Sequence, residues 1–246
     1  MYALRAKFKN EIIAEFLPPK HNSDKVVILC SGVPTLPNKP KLLEFFAKKG
    51  FWVFFPRYRG TWESGGEFLK NSPEQDVLDI IDELPKGFKD GWSGVEYKVN
   101  PKEVYVVGSS FGGAVALMCA SSEKVKKVVA FCPVVDWKDT SEEEPLEEFK
   151  EQIKDAFNDA YRFTEENWQK LETGKFFNPV NHTNEIDGKK VLVFHAKNDK
   201  IVNFNPVKDF CKKINASFIP KNKGGHLSLS NLARFGYWGK IKRHLK

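Results

Sequence analysis

A chain of 246 residues that is 41% hydrophobic and 29% charged has room for one large domain or two small ones, with a sizeable core. With 21 Phe, 6 Trp and 6 Tyr it is too aromatic to be disordered by composition, and 39 basic against 32 acidic residues leave a net charge of +7. No run approaches the ~18 apolar residues of a membrane helix. Arg5, Lys7, Lys9, Glu11 and Glu15 interrupt the N-terminal apolar residues, which argues against a signal peptide. The expectation is a soluble, cytoplasmic protein.

In chain order, Met1–Phe8 and Glu11–Phe16 read as a hairpin turning at Lys9-Asn10, ended by Pro18-Pro19. Strands are predicted at Val26–Ser31, Phe51–Phe55, Glu103–Gly108, Val125–Phe131, Lys190–His195 and Ala216–Pro220. Helices are predicted at Lys41–Lys49, Pro73–Leu84 with Ser72 as cap, Ser110–Ser121 and Pro206–Ile214. Such alternation implies parallel pairing with helices on both faces. Runs such as Val104-Tyr105-Val106-Val107 are apolar throughout, as strands buried on both sides must be. The fold class is a doubly wound, mostly parallel α/β sheet forming a single domain over 1–246.

The alternation breaks between Phe131 and Lys190, a gap far beyond an ordinary connection. Leu146, Phe149, Ile153, Ala156, Phe157 and Ala160 have helical spacing, and Thr164 can cap a second helix carrying Trp168 and Leu171. An insertion with its own apolar face, about 136–180, is expected to pack as a lid. Residues 136–172 hold 13 acidic and 5 basic side chains, net −8, so the remainder carries +15. Two readings follow: an acidic lid docking on a basic body, or an acidic lid steering cationic substrates.

The most informative residues are Gly108-Ser109-Ser110-Phe111-Gly112, a G-x-S-x-G sequence set between an apolar strand and a helical run. A sharp strand-to-helix turn forces its central residue into a strained conformation that leaves no space for side chains two places away. Ser110 is thereby exposed at the carboxyl end of the sheet, with a helix N-terminus directed at any developing oxyanion. A serine needs a base, and the base an orienting acid. Asp199 follows the strand ending at His195, and His226 in Gly224-Gly225-His226 follows the last strand, so both reach the same edge.

On these residues the chain resembles an α/β-hydrolase from about Lys25 onward, in the order Ser110, Asp199, His226. Phe55-Pro56-Arg57-Tyr58-Arg59-Gly60 and Ser64-Gly65-Gly66 make it similar to the catalytic domains of prolyl-oligopeptidase-type peptidases and related esterases. The resemblance implies an oxyanion hole built from the N–H groups of Phe111 and Val33. The family's usual His-Gly before that second donor is here Ser31-Gly32. It also favours Asp199 as the acid over Asp136, which follows the strand after the nucleophile helix, and gives Arg59-Gly60 a structural role.

Other candidates lack the context. Asp187 precedes its strand; His195 sits within one and is read as packing; His21, His182 and His244 match no strand end. Cys30, Cys119, Cys132 and Cys211 form no C-x-x-C pair and read as reduced core residues. Ser64-Gly65-Gly66 opens no helix and is a poor phosphate loop. The basic tail Lys240–Lys246 reads as a solvated helix face, with no nucleic-acid or membrane partner expected. The expected activity is cleavage of small carboxylic esters through an acyl-enzyme, without metal or cofactor. The alternatives are a small serine peptidase and a catalytically silent hydrolase fold used for binding.

Overall fold

A computed structural model describes residues 3–139, 141 and 143–246. The predicted first strand begins at Met1, outside the described residues, and so do Thr140 and Glu142 of the acidic segment. The chain starts as an antiparallel hairpin, β1 (Leu4–Phe8) and β2 (Ile12–Leu17), and the turn falls where expected. Lys9 and Asn10 both adopt positive φ, and the Glu11 N–H donates to Phe8 O at 3.0 Å. The strand β3 (Lys25–Cys30), helix α1 (Pro40–Ala47), strand β4 (Trp52–Pro56) and helix α2 (Glu74–Glu83) follow. Ser72 does not cap α2: Pro73 holds the cap position, and the Ser72 hydroxyl bonds the Glu74 carboxylate instead. A two-stranded ribbon, β5 (Phe88–Lys89) and β6 (Glu96–Tyr97), has no counterpart among the predicted elements.

Then come β7 (Glu103–Ser109), α3 (Phe111–Cys119), β8 (Lys127–Phe131), α4 (Leu146–Phe157), α5 (Glu165–Glu172), β9 (Val191–Ala196), α6 (Phe204–Lys213), β10 (Ser217–Lys221) and α7 (Phe235–His244). Eight strands form one sheet in the order β1-β2-β4-β3-β7-β8-β9-β10, parallel from β4 to β10 and antiparallel at the β1–β2 and β2–β4 pairs.

The central strands divide their side chains between two cores, as the period of two demands. Val26, Ile28, Val104, Val106, Val128, Val191 and Val193 face one core, with α2, α3 and α6; Val27, Leu29, Tyr105, Val107, Val129, Leu192 and Phe194 face the other, with α1 and α7. Among the parallel strands, chain order runs outward from β3 to β4 on one side and from β7 to β10 on the other. The crevice beyond their carboxyl ends is therefore a topological switch point, where open α/β sheets bind ligands. The loop after β3 and the turn after β7 both open there.

The β8–β9 connection folds as α4 and α5 on their own apolar faces. Thr164 caps α5 as expected, accepting the Asn167 N–H at 3.2 Å, and Phe149 lies 5.7 Å from Trp168 between ring centres. Backbone bonds attach this connection to the loop after β4: Thr61 bridges Tyr161, the Arg162 N–H donates to Gly60 O, and the Phe68 N–H to Arg162 O. A Cβ on Gly60 would lie 1.9 Å from the Phe68 nitrogen, so this crossing requires glycine. The connection's two ends are stitched together as well. The Val180 N–H donates to Val135 O at 3.0 Å, and Asn178 donates to Asp136 and accepts from the Trp137 N–H. Among the described residues no helix is long and apolar enough to cross a membrane.

Candidate active site

Ser110 stands between β7 and α3 with φ 55° and ψ −123°, a strained conformation for a residue with a side chain. The flanking glycines are obligatory. A Cβ on Gly108 would meet Gly112 O at 1.8 Å, and one on Gly112 would meet Cys30 O at 2.2 Å. The Ser110 N–H donates to Phe131 O at 2.9 Å, which ties the turn to β8. Ser109, next to it, is buried.

Asp199 and His226 meet as the sequence implied. His226 Nδ1 lies 2.9 Å from Asp199 Oδ2 and 3.1 Å from Oδ1. Asp199 Oδ1 also accepts the N–H groups of Ile201 at 3.0 Å and Val202 at 3.1 Å. Burial works against the Asp199 charge, but His226, the Cys132 thiol and the Val202 N–H together hold its pKa at about 2. The acid is therefore ionised and its side chain fully buried, while the His226 side chain keeps 25% exposure. With Nδ1 committed to Asp199, Nε2 is the ring nitrogen left to exchange a proton with a reactant. Ser110 and His226 line one cavity of about 350 Å³, with no hydrogen bond between them.

The other two residues singled out in the sequence, Phe111 and Val33, lie at the start of α3 and in the loop after β3. Phe111 opens α3, so its N–H has no acceptor inside the helix. Val33 is buried and borders the same cavity as Ser110. Without the usual histidine, the loop is anchored by tyrosines. The buried Tyr58 hydroxyl donates to Ser31 O at 3.0 Å, and the Tyr161 hydroxyl accepts the Thr35 N–H at 3.0 Å.

The rival residues are engaged elsewhere. Asp136 accepts from the Lys138 N–H and Asn178 and does not touch His226; Asp187 accepts the Lys189 N–H; His182 pairs with Glu185. His244 bonds Val128 O and Lys190 O. Arg57 pairs with Glu15 and Glu63, and Arg59 with Glu11, Asp76 and Asp79; neither lines the cavity. The four cysteines are free and buried.

The sequence profile of the prolyl oligopeptidase family matches residues 39–232. The chain belongs to the prolyl oligopeptidase family. Like the other enzymes of that family, it is a serine hydrolase with the α/β-hydrolase fold. No curated protein matches it by sequence. A solved esterase of Pyrococcus furiosus is similar over 99% of this chain and 90% of its own, at 18% identity and TM-score 0.68. An acylaminoacyl peptidase of Pyrococcus horikoshii is similar at 18% identity and TM-score 0.65, over 99% of this chain and 40% of its own. Est1E from Butyrivibrio proteoclasticus is similar at 13% identity and TM-score 0.65, over 100% of this chain and 99% of its own.

Within this prolyl oligopeptidase family member, several residues at the site gave no local signal. His195, read as packing, is fully buried, yet its Nε2 lies 3.4 Å from Asp199 Oδ2 and 3.0 Å from Val202 O. Burial pushes its pKa down. Cys132, His195 and Asp199 place potential metal-ligand atoms within 4.8 Å of one another. Asp199 in that group is already held by His226, so the cluster reads as packing around the acid. Tyr58 lies in the Phe55–Gly60 motif, but its bond to Ser31 crosses 27 residues. A second cavity of about 40 Å³, lined by Val33, Phe111, Trp137, Phe149 and Val202 among others, also opens on Ser110. Glu144 lines both cavities; it was one acid among thirteen, with nothing in its neighbours to mark it.

Proposed function

We propose that the chain cleaves carboxylic esters of small acids through an acyl-enzyme, with Ser110 as nucleophile, His226 as base and Asp199 as its orienting acid. The observation that carries this reading is the pairing of His226 Nδ1 with both Asp199 oxygens beside a serine held at φ 55°. His226 Nε2 takes the Ser110 proton as Oγ bonds to the carbonyl carbon. The N–H groups of Phe111 and Val33 receive the oxyanion. The bond to the leaving oxygen then breaks, and His226 returns the proton to the departing alcohol. Water, deprotonated by the same ring, releases the acid.

The cavity of about 40 Å³ beside Ser110, walled by Phe111, Trp137, Leu146 and Phe149 and edged by Asp136, Asp139 and Glu144, has the volume of a few water molecules and suits a short acyl chain. The larger cavity then takes the leaving group. The 136–180 insertion acts as a lid on one domain, since Trp137, Glu144, Leu146 and Phe149 wall the smaller cavity. A peptidase reading is favoured by the family itself. Comparing kcat/KM on a p-nitrophenyl ester and an aminoacyl anilide separates the two.

The test is labelling with a fluorophosphonate probe of the wild-type protein, Ser110→Ala and His226→Ala. Labelling of wild type alone, with unchanged circular dichroism in the variants, is the expected result. A folded wild type that neither labels nor hydrolyses short esters rejects the reading.

A further inference from the structure

The charge of the insertion separates its two readings. If the acidic segment docked on the basic body through ion pairs, body lysines and arginines should meet its carboxylates. Among the described residues, Lys200 with Glu143 at 2.7 Å is such a pair. The remaining pairs stay inside the insertion: Lys150 with Glu147 and Glu165, and Lys154 with Glu151 and Glu165. Docking rests instead on Trp137, Phe149, Tyr161, Trp168 and Phe177. Its negative charge is therefore largely unspent on folding.

Glu144 is where that charge reaches the chemistry. Its N–H is pinned to Ser141 Oγ at 3.1 Å, while its carboxylate has no hydrogen bond or ion pair among the described residues. The neighbouring acids differ: Asp136 is held by Asn178, and Asp139 by Asn203 at 2.8 Å. Glu144, Val33, Ser110 and Ile201 line both cavities, so Glu144 stands at the junction where the scissile bond must lie. Its carboxyl feels His226 and Asp199 electrostatically, and burial raises its pKa. A group of this kind gains most from a ligand that brings the missing positive charge.

We infer that Glu144 is a specificity-determining residue that selects esters whose leaving alcohol carries an ammonium group a few bonds from the scissile oxygen. The short acyl part occupies the smaller cavity, and the cation lies in the larger one against Glu144. Lys39 lines only the larger cavity and does not pair with Glu144. The inference rests on Ser110 being the nucleophile, and its test has an arm that needs no turnover.

The experiment compares 2-(trimethylammonio)ethyl acetate with its uncharged isostere 3,3-dimethylbutyl acetate, using acid release at constant pH. Wild type is expected to favour the cation by about tenfold in kcat/KM, mainly through KM. That ratio falls to near one in Glu144→Gln and survives in Glu151→Gln, whose exposed carboxylate lies in the same acidic segment. Calorimetry with the two parent alcohols reads the same preference as binding. Equal kcat/KM and equal binding in wild type, or a ratio that Glu144→Gln leaves intact, overturns the inference. Preferential, Glu144-dependent binding without hydrolysis of either ester supports the site and rejects the ester-cleavage reading.

Discussion

Two carboxylates reach this site from different regions, and they are held in opposite ways. Asp199, in the loop after β9, has a fully buried side chain that receives His226 Nδ1 and two backbone N–H groups, and its pKa sits at about 2. Glu144, at the start of the insertion, is partly exposed and lacks a hydrogen-bond or ion-pair partner among the described residues, and burial shifts its pKa the other way. A charge surrounded by fixed donors is preorganised, and its contribution is the same for every substrate. A charge without donors is completed by whatever ligand arrives. One loop can thus set the reaction while the other sets the preference.

The largest expected effect breaks the first half of this comparison. Asp199→Asn should lower kcat by about 10⁴ with KM little changed, because the amide no longer stabilises the imidazolium. Steady-state kinetics on p-nitrophenyl acetate measures it; a loss below tenfold would mean that another carboxylate serves the histidine. Next in size is the frame itself. Gly112→Ala drives a Cβ to 2.2 Å from Cys30 O and should cost about 3 kcal/mol or more in urea unfolding.

The third test is pH-dependent. The Asp199 pKa is depressed in the folded chain from 3.8 to about 2. The unfolded chain therefore binds the proton first, and the stability this group contributes is present above about pH 4 and lost as pH falls toward 2. Chemical denaturation of wild type against Asp199→Asn should show their difference shrinking across that window. The smallest effect concerns the loop after β3. Tyr58→Phe removes the donor to Ser31 O, and should cost about 1 kcal/mol of stability and a few-fold in kcat.

Much of this arrangement is legible in the sequence for identifiable reasons. Strands buried on both faces must be apolar throughout, so Val26–Ser31 and Glu103–Gly108 announce themselves. Gly108 and Gly112 mark the turn because nothing larger fits. Asp199 and His226 could be placed because each follows an apolar run whose end fixes the sheet edge. What escaped lacks a local cause. The β5–β6 ribbon has two residues per strand, too few for a period of two to register. Ser72 looks like a cap, but Pro73 already occupies the position and its hydroxyl turns to Glu74. His195 and Cys132 come to Asp199 only because β8 and β9 are neighbours, and Glu144 is distinguished from other acids only by the space before it.

The stitched ends of the β8–β9 connection have a practical consequence for redesign. Val135 and Val180 are joined by a backbone bond, and Asn178 ties back to Asp136 and Trp137, so the chain leaves the scaffold and returns at one point. Everything between those contacts is a cassette. Closing a longer or shorter segment across the same two points changes the loop entropy only slowly with length. Segments of other lengths and charges can be exchanged there provided that they refill the core positions now held by Phe149, Ile153, Tyr161, Trp168 and Leu171. The Thr61–Tyr161 bridge and the Tyr161 contact with Thr35 mark the part of the cassette that any replacement must keep.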